Sequence, residues 1–165
     1  GPYEGRLIIP FELNNKVVFF QARALSDKQI PKYLNFKGIK CSDLLYPFDI
    51  DAEELYVTEG VLCCKTLRSL GINATCINGS YISKEQAYQL KQFEGKLILA
   101  MDNDDAGREC INTFEKTRKD LMIPPFWVVT PEIRFKDWNE QYVKGRPIKM
   151  KPKLYDWSYP ILSEL

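Results

Sequence analysis

Apolar and polar positions along the chain change rhythm near residue 54. Before that point, Arg6 to Phe11 (RLIIPF) and Lys16 to Phe20 (KVVFF), running on to Gln21-Ala22-Arg23, are two β-rich runs separated by Glu12-Leu13-Asn14-Asn15. Asparagine tolerates left-handed backbone, so this pattern predicts a β-hairpin that turns at Asn14-Asn15. A polar loop containing Pro31-Lys32-Tyr33-Leu34-Asn35 follows, then a weakly periodic stretch to Asp51.

From Glu54 onward, short apolar runs alternate with helical periodicity. Leu55 to Thr58 reads as a strand. Gly60 to Leu70 reads as a helix with Leu62, Thr66, Leu67 and Leu70 on one face and Gly71 as its stop. Thr75 to Ile77 reads as the next strand. Ser83 is placed to cap a helix reaching about Gln92, with Gln86 at the spacing of a capping box. Leu97-Ile98-Leu99-Ala100-Met101 is continuously apolar, the pattern of a strand covered on both faces. Asp102-Asn103-Asp104-Asp105-Ala106-Gly107 then opens a helix whose inner face is Cys110, Ile111, Phe114 and Leu121. Phe126 to Val129 and Trp138 to Lys144 complete the series as strand and helix. Strands alternating with helices imply right-handed crossovers, so the expected class is α/β: a mostly parallel sheet flanked by helices, preceded by a small hairpin-containing subdomain. From Arg146 the chain is rich in Lys and Pro and then aromatic (Tyr155, Trp157, Tyr159), which suggests an arm packed on the domain or on a partner.

Length and composition narrow this picture. With 165 residues, 45% of them hydrophobic, the chain can bury one good core with appendages. Its 23 basic and 22 acidic side chains nearly cancel, so binding to a polyanion must come from a local patch. There is no histidine, which removes imidazole ligands, histidine bases and histidine-containing triads together. Cys41, Cys63, Cys64, Cys76 and Cys110 show no CxxC spacing, and the expectation is buried free thiols in a reducing cytosol. No apolar run approaches the ~20 residues needed to cross a bilayer, and a soluble intracellular protein with no membrane partner is expected. Gly1-Pro2 resembles the scar of a cleaved affinity tag, so a trimmed fragment is expected.

Chemistry in such a chain must run on carboxylates, lysines or metals. In open α/β sheets, ligands bind beyond the carboxyl ends of the strands. Glu59 directly follows one predicted strand; Asp102 follows another, with Asp104 two residues on. Asp137, in Lys136-Asp137-Trp138-Asn139-Glu140, follows the last strand. Hard carboxylate oxygens in that position suit Mg²⁺ or Mn²⁺. The competing reading of each acid taken singly is a helix cap or a solvated turn.

YVTEG (Tyr56 to Gly60), INGSYISKEQ (Ile77 to Gln86) and MDNDDAGRE (Met101 to Glu109) resemble the Toprim motifs of bacterial and bacteriophage DNA primases. KDWNE (Lys136 to Glu140) resembles the third acidic motif of phage primases. The hairpin followed by PKYLN is similar to the basic segment that precedes Toprim in the same enzymes. The resemblance covers residues 5 to 145 and divides the chain into a tag scar (1–2), the basic segment of the primase core (3–50), a Toprim domain (51–145) and a tail (146–165). It implies RNA primer synthesis from ribonucleoside triphosphates (NTPs) on a single-stranded DNA template, alongside a replicative helicase, in a bacterial cytoplasm. It also implies Glu59, Asp102 and Asp104 as catalytic metal ligands with Asp137 in support, and Arg6, Arg23, Lys32 and Tyr33 as contacts to nucleotide or template. Charges next to an aromatic ring suit single-stranded nucleic acid. Where the family usually carries an acid four residues after the Glu of Glu-Gly, this chain has Cys63. Toprim motifs alone also admit a nuclease, or a non-catalytic module that binds nucleic acid or a partner.

Overall fold

The computed structural model describes residues 1–13, 16–38, 40–48 and 51–156. The expected turn at Asn14-Asn15 and the tail aromatics Trp157 and Tyr159 lie outside the described residues. The chain forms two compact units, Gly1–Cys41 and the remainder from Ser42.

In the first unit, β1 (Arg6–Leu13) and β2 (Lys16–Ala24) pair antiparallel as the hairpin pattern predicts, with a register shift between Phe11 and Glu12. Phe11 faces Phe19 across the ladder; both are buried, and their rings stack at 4.0 Å, a cross-strand aromatic pair of the kind that fixes register. The segment read as a polar loop is partly a third strand, β3 (Tyr33–Asn35), antiparallel to β2. Three residues are too few for a period-two signal. The strand is held instead by partners distant in sequence: buried Gln21 donates from Nε2 to Asn35 Oδ1 at 3.0 Å, and the Ala24 N–H donates to the Lys32 carbonyl at 2.8 Å.

The second unit alternates as expected: β4 (Glu54–Thr58), α1 (Val61–Ser69), β5 (Ala74–Cys76), α2 (Lys84–Leu90), β6 (Lys96–Leu99), α3 (Asp105–Leu121), β7 (Trp127–Val128) and α4 (Trp138–Val143). A further strand, β8 (Lys153–Leu154), forms in the arm that the sequence left without structure. The sheet order is β5-β4-β6-β7-β8, parallel except for β8, which runs antiparallel to β7. From β4 the chain goes first to β5 on one side and then to β6 on the other. The cleft between β4 and β6 is therefore a topological switch point, where the loops diverge and leave room for a ligand.

The core forms where the sequence is most apolar. Leu97 to Met101 are all buried, and Leu97, Leu99 and Met101 share one core cluster with Cys110, Ile111 and Phe114 of α3 and with Leu55, Val57, Leu90 and Phe126. Each fully buried Leu, Ile or Phe contributes about 1.5–3 kcal/mol. Ser83 and Gln86 form the predicted capping box with two reciprocal 3.1 Å bonds, although α2 ends at Leu90. In α1 the buried face differs from the expected one. Val61, Cys63, Cys64, Thr66 and Leu67 are inside, Leu62 is only partly covered and Leu70 is exposed. Free cysteine packs as a small hydrophobe, which is why a pattern weighted towards leucine misplaced the face. All five cysteines are buried and none forms a disulfide, as expected.

Candidate functional site

Register brings the first two acids together. Val57 of β4 pairs with Leu99 of β6, and the Ala100 N–H donates to the Val57 carbonyl at 2.8 Å. Glu59 and Asp102 therefore leave adjacent parallel strands at the same level. The Asp102 N–H donates to Glu59 Oε1 at 3.1 Å. Burial pushes the Glu59 carboxyl up to about 7, and the neighbouring charges of Asp102 and Asp104 add to the rise, while the Asp102 N–H and Lys136 oppose it.

Gly107, in the first turn of α3, makes this approach sterically possible. A Cβ there would stand 2.2 Å from the Asp102 carbonyl oxygen and 3.0 Å from Glu59 Oε1, so only glycine lets the helix start this close to the acids. Asp104 is the N-cap of α3: its Oδ1 accepts from the Gly107 N–H at 3.0 Å, and its Oδ2 lies 3.4 Å from Lys136 Nζ. Burial raises the Asp104 carboxyl, but the bonds from Gly107 and Lys136 outweigh it and hold the group below its ordinary range.

The loop before α4 is fastened to the loop after β6. The Asn103 N–H donates to the Lys136 carbonyl at 2.7 Å, the Asn103 side chain donates to the Ile133 carbonyl at 3.2 Å, and the buried Trp138 indole donates to the Ala100 carbonyl at 2.9 Å. These bonds bring Asp137 into the same neighbourhood, where it caps α4 by accepting from the Glu140 N–H at 2.7 Å. Thr66 of α1 donates to Asn139 Oδ1 at 3.1 Å, tying α1 to α4. Cys63 is buried beside this junction. Burial, followed by the charges of Asp137 and Asp102, pushes its thiol up to about 12, so it is a neutral group at physiological pH.

Among the described residues, no three Asp, Glu, Cys or His side chains are arranged to hold a metal ion. The chemistry of the donor set nonetheless fits a hard divalent cation: Glu59, Asp102 and Asp104 offer only carboxylate oxygens, and burial first, then the neighbouring charges of Asp102 and Asp104, raises the Glu59 carboxyl. Asp104 is turned to its own helix and to Lys136. The residues that sequence reasoning passed over are those that organise the acids, namely Asn103, Gly107, Lys136 and Trp138. Lys136 and Trp138 lie inside KDWNE and Gly107 inside the DNDDAG run, where the acids alone drew attention.

The other predicted contact residues lie in the first unit. Arg23 and Tyr33 face each other in the β2–β3 register; the guanidinium lies 5.2 Å from the ring centroid and also donates to the Tyr33 hydroxyl. Arg23 and Lys32 line a concavity of about 390 Å³ with Leu25, Gln29 and Ile30. Arg6 donates from Nη1 to the Pro31 carbonyl at 2.7 Å, a bond that anchors the segment leading into β3.

Similarity to known proteins agrees with this geometry. The chain is 32% identical to the DNA primase of Clostridium acetobutylicum over 64% of its own length and 19% of the relative. It is 30% identical to the DNA primase of Thermotoga maritima over 92% of its own length and 28% of the relative. The chain thus spans under a third of the length of these curated relatives. Its fold is that of the Aquifex aeolicus primase structure containing zinc-binding and RNA polymerase domains (TM-score 0.72, 21% identity, 87% of this chain and 38% of that one). It also matches a primase catalytic domain bound to single-stranded DNA (TM-score 0.70, 21% identity, 86% and 48%) and the primase fragment of the bacteriophage T7 primase-helicase protein (TM-score 0.62, 23% identity, 84% and 58%). The Toprim-like family model matches residues 56–142, more than half of the chain, from within β4 to within α4 and including Glu59, Asp102, Asp104 and Asp137, and the chain belongs to that family.

Proposed function

We propose that this chain is the Toprim part of a DNA primase catalytic core, which makes RNA primers from NTPs on single-stranded DNA. The observation that carries this reading is the adjacency of Glu59 and Asp102 at the switch between β4 and β6, where the Asp102 N–H donates to Glu59 Oε1, with Asp104 two residues on. Glu59, Asp102 and Asp104 would hold Mg²⁺ or Mn²⁺, with Asp137 in support. A divalent cation there supplies charge neutralisation for the triphosphate and for the oxygens of an in-line displacement, which is why the lack of histidine is no obstacle.

The chain's own residues set the geometry. Gly107 keeps the start of α3 against Asp102, Trp138 and Asn103 hold the Asp137 loop, and the neutral thiol of Cys63 fills the position of the missing acid without adding a ligand. Arg23, Lys32 and Tyr33, with Arg6 in support, would meet nucleotide or template phosphates; the stacked Arg23–Tyr33 pair is already ordered for a planar base or a phosphate. On this reading residues 3–50 are the basic segment of the core, 51–145 the Toprim domain and 146–165 a tail. The protein works in the cytoplasm, that of a bacterial host if phage-encoded, with a replicative helicase. No helix among the described residues is long and apolar enough to cross a membrane.

The test is ribonucleotide incorporation by the full-length protein on single-stranded DNA with Mg²⁺ or Mn²⁺. Primer synthesis that requires NTPs is the expected result. Strand nicking without triphosphates would replace this reading with a nuclease, and metal-independent DNA binding with no turnover would replace it with a binding module.

A further inference from the structure

Among the described residues, Lys136 places a cation in the acid cluster on a fixed backbone and an exposed side chain. The Lys136 carbonyl accepts from the Asn103 N–H at 2.7 Å, and the Lys136 N–H donates to Glu140 Oε2 at 2.8 Å, so its Cα is held between the β6–α3 loop and α4. The side chain is 64% exposed and reaches back to Asp104, with Nζ 3.4 Å from Oδ2. The other oxygen of Asp104 caps α3. Asp102 and Asp137 also act on the ammonium, and the ammonium in turn acts on Glu59. The ammonium thus pairs with Asp104 and lies within electrostatic reach of Asp102, Asp137 and Glu59, on a flexible four-carbon stem.

A charge so placed competes with any other cation for the same oxygens. Tethering makes that competition intramolecular, at an effective concentration on the order of millimolar. An exposed ion pair of this kind is individually weak, so a doubly charged ion with several carboxylates in reach can displace it. We propose that Lys136 is a built-in counter-ion of the acid site: it occupies Asp104 when no divalent cation is present and must be displaced from that carboxylate for the cation to bind. This rests on the reading of Glu59, Asp102 and Asp104 as metal ligands. It accounts for two observations together, the acids being in one neighbourhood yet not arranged as a ready three-ligand set, and Asp104 being turned to Lys136.

The experiment is Mn²⁺ titration of the whole chain, with free Mn²⁺ followed by its electron paramagnetic resonance signal, for wild type, Lys136→Met, Lys136→Gln and Lys136→Arg. Removing a unit charge a few ångströms from a divalent ion is expected to tighten Mn²⁺ binding about ten-fold in Lys136→Met and Lys136→Gln, whereas Lys136→Arg, which keeps the charge, stays within about two-fold of wild type. With EDTA present, Lys136→Met melts below wild type, and Mn²⁺ raises its melting temperature by more than it raises that of wild type. Mn²⁺ binding by Lys136→Met that equals or falls below wild type, with an unchanged circular dichroism spectrum, overturns the counter-ion role and leaves the metal reading standing. Failure of wild type and all three variants to bind millimolar Mn²⁺ overturns both.

Discussion

The two ends of α3 treat covered acids in opposite ways, half-buried ones at the start and a fully buried one toward the end. At its N-terminus Glu59 sits among Asp102 and Asp104 with a single exposed lysine nearby, and its carboxyl rises to about 7. Toward its C-terminus, Glu115 is 2% exposed, yet it accepts from the Arg118 guanidinium, with Oε1 2.8 Å from Nη2, and lies 3.0 Å from Lys119 Nζ. Burial raises that carboxyl too, but the two cations prevail and hold it below the ordinary range. Glu115, on the helix itself, thus has its charge answered on the spot, whereas Glu59, from the loop after β4, meets burial and like charges beside the helix N-terminus. On the proposed reading, an acid of the second kind serves a binding site.

The sharpest way to break this contrast is to remove acid at each end. Asp102→Ala with Asp104→Ala is expected to lower primer synthesis by the full-length protein roughly 10³-fold or more while leaving the fold intact, because the loss of the Asp104 cap, about 1 kcal/mol, is small beside the stability of a domain and is partly offset by relief of like-charge repulsion. A double variant that is active, or that is inactive because circular dichroism shows it unfolded, would refute the assignment. Gly107→Ala tests the steric half of the same end. Its methyl meets a carbonyl oxygen at 2.2 Å, and backbone must move, so a loss of about 3 kcal/mol in urea unfolding is expected, with activity falling alongside. An alanine variant as stable as wild type would show that α3 can start elsewhere.

Glu115→Gln tests the other end and should cost about 2 kcal/mol at pH 7, by leaving Arg118 and Lys119 without their carboxylate, with no direct effect on catalysis. The pH dependence has a definite sign. A carboxyl held low in the folded state contributes stability that is complete above the ordinary carboxylate range and disappears as pH falls through its folded value. The gap between wild type and Glu115→Gln should therefore close as pH drops from about 5 toward 3. A gap that widens on acidification would contradict the pairing.

What could be read in advance follows the same division. The strand-end acids were legible because their positions depend on element order, and order survives in the pattern of apolar runs. Glu115 was not: Glu115, Arg118 and Lys119 at spacings of three and four look like an ordinary solvated helix face, and only the packing of α3 shows that the carboxylate is covered. Lys136 was within view but silent, since a lysine preceding an aspartate carries no signal until Asn103 brings its loop to Asp104. Strands β3 and β8 were invisible for a different reason. Each is two or three residues long and takes its conformation from the neighbour it pairs with, not from any alternation of its own.

Strand β8 also changes how this domain can be handled. Its two residues, with the Tyr155 N–H donating to the Phe126 carbonyl at 2.9 Å, the Tyr155 ring stacked on Phe126 at 4.8 Å and its hydroxyl donating to Asn112 Oδ1 at 3.0 Å, cover the outer side of β7. Without them the sheet would end in an open row of amides and carbonyls, the template on which foreign strands add. A shortened version cut at the end of the Toprim-like match would thus keep every acid and yet be prone to self-association, so solubility, more than chemistry, sets where the domain can be trimmed.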